Sequence, residues 1–172
     1  SECAQHLPGR SDKVSTMSAQ FPNLGLPTGS IGLGGVGSVE TSVNLADQFS
    51  RRQLLPAAHD AGMGVIAKRP IANAAWRFAD RPAGDYAETY WERLRTLNMD
   101  SIRQQAGLDW LDLALRFTAY APGVHSAIVG TASIQNLERN IDLVQQGPLP
   151  LDVLMHIEAA WTQHGLEWGG EV

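Results

Sequence analysis

The stretch 124–140, VHSAIVGTASIQNLERN, constrains this chain more than any other. Ala127, Ile128 and Val129 read as a short buried strand and Gly130-Thr131 as a tight turn. Ile134, Leu137, Ile141 and Val144 then recur at helical spacing. A helix that begins just after a strand points unpaired backbone N–H groups and the positive end of its dipole outward. Gly130 lets a ligand oxygen come close to the backbone, so an anion, a phosphate above all, suits this turn. A purely structural reading stands beside it, in which Ser133 or Thr131 caps the helix and no ligand is needed.

The rest of the chain repeats the same kind of unit. A strand over 39–44 leads to a helix over 48–61, with Asp47 as its N-cap, Pro56 near its first turns and Gly62 as its stop. The apolar run 63–68 follows as a second strand. Together these make a β-α-β unit with parallel strands and a right-handed crossover. After Pro70 comes an irregular stretch and then a long helical region over 83–105, where Tyr86, Tyr90, Leu94 and Leu97 form one apolar stripe of packing residues. Another helix over 108–121 should bury Leu111, Ala114, Leu115 and Thr118, while Asp109 and Asp112 face solvent. The last helix, 151–164, carries Leu154, Ile157 and Trp161 on one side and stops at Gly165. Helices alternating with short apolar strands define an α/β fold with a parallel sheet.

Residues 1–38 do not share this texture. They mix Ser, Gly, Pro and Asn with scattered apolar residues, and we expect them to be irregular or poorly ordered, with the folded unit at 39–172. Gly32, Gly34 and Gly37 formally satisfy G-x-G-x-x-G. The dinucleotide fingerprint follows a strand and opens a helix, whereas strand-like residues follow here, so a flexible connector is the better reading.

Composition excludes several classes. A chain of 172 residues with 44% hydrophobic content supports one ordinary core. The net charge of −5 comes without a basic stripe, which argues against nucleic acid and anionic membrane partners. The single cysteine, Cys3, makes no internal disulfide, and neither a signal peptide nor a membrane span is visible, so a cytoplasmic protein is expected. His6, His59, His125, His156 and His164 lack metal-ligand spacing, so no metal is expected. There is no G-x-S-x-G nucleophile elbow either.

The order VETSVNLADQ, LLPAAHDAGMGVIAKRPIANAAW and LALRFTAYAPGVHSAIVGTASIQNLERNIDLV resembles the C-terminal half of an aldo/keto reductase. The resemblance covers residues 39–143, and the run ending GTAS-x-x-x-L-x-x-N is its most specific part. It implies a partial, half TIM-type β/α barrel whose strands over 39–44, 63–68 and 126–129 correspond to the sixth, seventh and eighth. Enzymes of this family move a hydride from a nicotinamide cofactor to an aldehyde or ketone.

What the resemblance implies for the site is cofactor contact. The turn after the last barrel strand holds the adenosine-phosphate end of the cofactor, and Gly130, Thr131, Ala132, Ser133, Asn136 and Asn140 match those positions. Asn136 and Asn140 fall near an adenine. Many relatives grip the 2′-phosphate with Lys or Arg where this chain has Ala132 and Ser133, so NAD fits at least as well as NADP. Lys68 and Arg69 stand where an aromatic often stacks on the nicotinamide. Lys68 cannot stack so, but could pair with pyrophosphate or simply be solvated. Glu40 replaces a glutamine that contacts the carboxamide, and Asn44 follows on the same strand.

The family's catalytic Asp, Tyr, Lys and His belong to the first half of the barrel, and no segment before Val39 matches them, so the catalytic residues here are unknown. Without a positioned proton donor the ordinary reduction should fail, leaving weak or altered oxidoreductase activity. Half a barrel would also expose strand edges and an apolar face, so completion by self-association, as a homodimer or larger assembly, is expected. Two other readings stay open: a repurposed hydrolase of a small ester or lactone with a site formed on assembly, and a non-catalytic oligomeric module.

Overall fold

Alternation along the strands decides how this chain packs. The computed structural model describes residues 37–171. In it β1 (Ser38–Ser42), β2 (Gly64–Lys68) and β3 (Ser126–Ala127) form one parallel sheet in the order β1-β2-β3. Ser38 lies opposite Gly64 and Ser42 opposite Lys68, while Ile66 and Ala67 face Ser126 and Ala127. Val39, Val65, Ala67 and Ala127 point to one face and pack on Leu55, Ala58, Ala121 and Val124. The period of two then sends Glu40, Ser42, Ile66, Lys68 and Ser126 to the other face, the one that would line a barrel interior. The glycine motif at 32–37 lies outside the described residues except for Gly37, as does most of the segment expected to be irregular.

The expected helix over 48–61 is two helices, α1 (Phe49–Arg52) and α2 (Leu54–Asp60), separated at Gln53. Pro56 is the cause: it has no N–H for the Arg52 carbonyl, and its ring crowds that turn, so it is accommodated only as the third residue of a fresh helix. Gly62, at φ +65°, ends α2 as expected. Its N–H donates to the His59 carbonyl (2.9 Å) and that of Met63 to Ala58 (2.8 Å), a Schellman motif.

The long helix expected over 83–105 is likewise divided, into α3 (Glu88–Thr96) and α4 (Met99–Gln105). Asn98 takes the left-handed conformation (φ +50°) between them, which an asparagine tolerates better than most residues. Tyr86 precedes the first turn and is 93% exposed, off the apolar stripe, whereas Tyr90, Leu94 and Leu97 are buried as anticipated.

α5 (Trp110–Ala119) is buried on nearly all sides, and Leu113 joins Ala114 and Leu115 in its interior while Leu111 is half-buried. Asp112 does not face solvent: it is 8% exposed and pairs with Arg116 at 3.0 Å. α6 (Ile134–Gln145) and α7 (Leu151–His164) complete the order. The main core joins α3, α4, α5 and α7 through Tyr90, Met99, Leu113, Phe117, Ile157 and Trp161. No helix among the described residues is long and apolar enough to cross a membrane.

β3 is shorter than expected. Its ladder stops at Ala127, and Ile128, whose N–H still donates to the Ala67 carbonyl at 2.9 Å, is half exposed. Ile134 and Leu137 on α6 are uncovered as well, at 73% and 48% exposure; Ile141 and Val144 of the predicted stripe are half-buried, and the buried residue of the helix is Leu143, which the stripe did not include.

Candidate functional site

Ligands of parallel α/β sheets gather at the carboxyl ends of the strands, where loops and helix N-termini converge. Three segments meet this description here: the loop after β1, the 3₁₀ segment Ala72–Arg77 after β2, and the turn 128–133 that opens α6.

The turn is built locally. Ser133 is the N-cap, its Oγ accepting the Asn136 N–H at 3.3 Å. Thr131 supports it, accepting the Ser133 N–H at 3.2 Å through Oγ1. Ser133 therefore takes the capping role that the sequence left open between it and Thr131. The N–H groups of Ile134 and Gln135 meet no acceptor among the described residues, and Gly130, Thr131 and Ala132 are exposed. A Cβ added at Gly130 would meet nothing within 4 Å, so the space beside this backbone is open. Asn136 and Asn140 lie one turn apart on α6 and face the same way. An anion fits the donor set: two free backbone N–H groups, the positive end of a 12-residue helix, and no carboxylate in the turn.

The other predicted residues fall at the ends of β1 and β2. Glu40 is exposed and Lys68 half-buried, both on the barrel-interior face. Asn44 is fully buried and spends its amide on the loops, donating to the Arg69 carbonyl at 3.1 Å and accepting the Ala46 N–H at 2.9 Å. Arg69 turns away from the α6 turn: its Nη1 donates to Ser42 Oγ at 3.3 Å and to the Glu171 carbonyl at 3.2 Å. Arg69, Ala72, Asn73 and Ala74 all have positive φ, between 45° and 56°. Each such residue costs roughly 1–3 kcal/mol, and clusters of them mark places where backbone shape is held for function.

Sequence reasoning missed what braces these loops. Thr118 in α5 is fully buried, and its hydroxyl lies 3.1 Å from the Val43 carbonyl and 3.2 Å from that of Pro70, tying the exits of β1 and β2 to one helix. A threonine amid apolar helical neighbours was the available signal. The C-terminal segment is the second brace. Glu171 donates its N–H to Asp47 at 2.9 Å and accepts from Arg93 at 2.8 Å, while Arg93 also reaches the Gly169 carbonyl and lies over the Trp168 ring. Burial pushes the Asp47 carboxyl up, against the lowering effect of the N–H groups of Glu171 and Phe49 and the charge of Arg93. No group of three or more metal-ligating side chains occurs among the described residues.

A parallel sheet with its first crossover through helices and a donor-rich turn at its carboxyl end defines part of a TIM-type β/α barrel. The profile of the aldo/keto reductase family matches residues 35–162, and the chain belongs to that family. It is 29% identical over 87 residues to an aldo-keto reductase of Pseudocercospora fijiensis, a stretch covering 46% of this chain and 29% of that protein. Its fold is similar to the apo form of an aldo-keto reductase from Bacillus halodurans, with a TM-score of 0.54, 19% identity, and coverage of 73% of this chain and 44% of that one. The holo form of the same enzyme gives 0.53 at 20% identity, covering 72% and 42%. The chain thus spans less than half the length of these relatives.

Proposed function

We propose that this chain binds a nicotinamide nucleotide, NAD or NADP, through the turn that opens α6, and that its chemistry is of the oxidoreductase type. The observation that carries the reading is the pair of unpartnered N–H groups at Ile134 and Gln135 beside the open flank of Gly130, within the stretch that matches the family. The free N–H groups of Ile134 and Gln135 donate to the phosphates, Gly130, Thr131, Ala132 and Ser133 form the turn that cradles them, and Asn136 and Asn140 contact the adenine end. Lys68 supplies the positive charge on the barrel-interior face. Glu40 sits nearest the carboxamide end, and Asn44 and Arg69 shape the loops around it. When bound, the nicotinamide supplies a hydride.

NAD is favoured over NADP. Ala132 and Ser133 offer no cation to a 2′-phosphate, and the single cation of α6, Arg139, is already paired with Asp109 at 2.7 Å. The barrel half formed by residues 39–172 operates as an assembly of copies of this chain. Ile128 beyond β3 and Ile134 and Leu137 on α6 are exposed apolar side chains, the kind of surface that self-association covers. A cytoplasmic setting follows from the single cysteine.

Calorimetric titration with NADH and NADPH tests the reading, beside a screen of esters and lactones without nicotinamide. Saturable binding, tighter for NADH and lost in Gly130→Asp while the far-ultraviolet dichroism is unchanged, is the expected result. Absence of heat with both nucleotides overturns it, and turnover of an ester or lactone without cofactor favours hydrolysis instead. Light scattering checks the assembly: a mass of one chain rejects it.

A further inference from the structure

A second cleft lies outside the turn described above. It is a cavity of about 470 Å³ between the 3₁₀ segment, α3 and the start of α5, walled by Trp76, Phe78, Trp91 and Trp110, with Arg95 and Asn98 at its polar side. It shares no residue with 130–140. Its volume is that of an ordinary small-molecule site, ~300–1,000 Å³.

The walls are set in place by contacts that leave their faces flat. Trp76 and Trp110 are parallel, 3° apart with centroids 5.3 Å apart. Trp91 is fixed by its Nε1–H, which donates to the Phe78 carbonyl at 3.0 Å. Arg95 lies over the Trp91 ring at 4.2 Å, and its Nη2 donates to the Ala79 carbonyl at 3.0 Å. Asp100 also borders the cavity, but both its oxygens are engaged, Oδ1 by Arg103 at 3.0 and 2.8 Å and Oδ2 by Gln104 at 2.7 Å. The charge in the lining that no carboxylate neutralises is therefore the Arg95 guanidinium.

We propose that this cleft binds a planar aromatic anion, its ring against the indoles and its carboxylate or phenolate on Arg95. Aromatic walls alone would also suit a cation. Here the face of Trp91 is already covered by Arg95, and a second cation would be repelled by it. An anion gains instead from the guanidinium N–H groups that the Ala79 carbonyl leaves available, and its ring packs against the aromatic walls beside the Trp76–Trp110 stack, where Arg103 over Trp110 at 5.4 Å adds to the repulsion of a cation.

Tryptophan fluorescence and calorimetry with naphthoate, naphthylmethanol and naphthylmethylamine test this, since the three share a ring system and differ in charge. Naphthoate should bind about tenfold more tightly than the neutral alcohol, and the amine should not saturate. Arg95→Gln, at an exposed position, should lower naphthoate affinity about tenfold and leave the alcohol unchanged. Trp110→Leu should weaken both. If Trp110→Leu does not fold, the charge selectivity removed by Arg95→Gln decides alone. No binding of naphthoate, equal binding of all three probes, an unselective Arg95→Gln, or displacement of naphthoate by NADH overturns the proposal.

Discussion

Asp109 and Arg139 join the two helices beside the turn that opens α6. Nη2 of Arg139 donates to Oδ2 of Asp109 at 2.7 Å, while Oδ1 of the same carboxylate caps α5 by accepting the Asp112 N–H at 2.8 Å. Partial burial alone would raise the Asp109 pKa, but the Asp112 N–H and the Arg139 guanidinium together outweigh it and hold the carboxyl below its usual range. A folded pKa below the unfolded one means the stabilisation is complete above the ordinary aspartate range. It is lost as pH falls through the folded value. Both side chains are half exposed, so Arg139→Gln should cost under about 1 kcal/mol at about pH 7. Urea midpoints of the two proteins should converge in acid, below the ordinary aspartate range, and a gap that widens there contradicts the assignment.

Asp47 has the opposite sign. Burial raises its pKa, so its ionised form weakens the fold at neutral pH, and stability from this group rises as pH falls from neutral through the raised value. Asp47→Asn removes that charge, though it exchanges one of the two acceptors that serve Phe49 and Glu171 for an amide donor. Relative to wild type the variant should therefore fare best at neutral pH and lose ground on acidification, by an amount on the order of 1 kcal/mol, comparable with one net hydrogen bond. Urea unfolding of both proteins from pH 7 down into the ordinary aspartate range measures the trend. A wild type that weakens against Asp47→Asn in that interval reverses the assigned sign.

What was legible in the sequence was local. The strand, turn and helix of 124–140 carry their own signals, so Gly130 and a cap at Ser133 or Thr131 were readable before any fold was known, and the fold assigns the cap to Ser133. The same holds for Gly62, whose left-handed turn needs only its own neighbours. The division of the first helix was half visible: Pro56 stands out in the sequence, but its effect on Gln53 is felt three residues earlier. Helical spacing showed that Ile134 and Leu137 share a face, yet spacing cannot say whether that face has a partner. Arg93 and Glu171 lie 78 residues apart, and nothing near either announces the other. Asp112 looked like a solvated acid because its partner's burial is decided by the loop 146–148, which folds back on α5.

That loop gives the most severe prediction. Arg116 donates Nε to the Gly147 carbonyl at 2.7 Å, Nη2 to that of Pro148 at 2.8 Å, and Nη1 to Asp112 at 3.0 Å. It is 8% exposed, so the planar guanidinium serves these acceptors, and Gln146 Oε1 at 3.5 Å, where water cannot replace it. Arg116→Ala strands the Asp112 carboxylate and two carbonyls, and should cost about 3–5 kcal/mol in urea unfolding. Arg116→Lys should recover part of the loss, because an ammonium keeps the charge but cannot span both carbonyls and the carboxylate at once. Pairing Arg116→Met with Asp112→Leu should recover more than Arg116→Lys does, since no buried charge is then left alone. If Arg116→Ala shifted the free energy by less than about 1 kcal/mol, water would have to be reaching these acceptors, and the junction between α5, α6 and α7 would be looser than its hydrogen bonds describe.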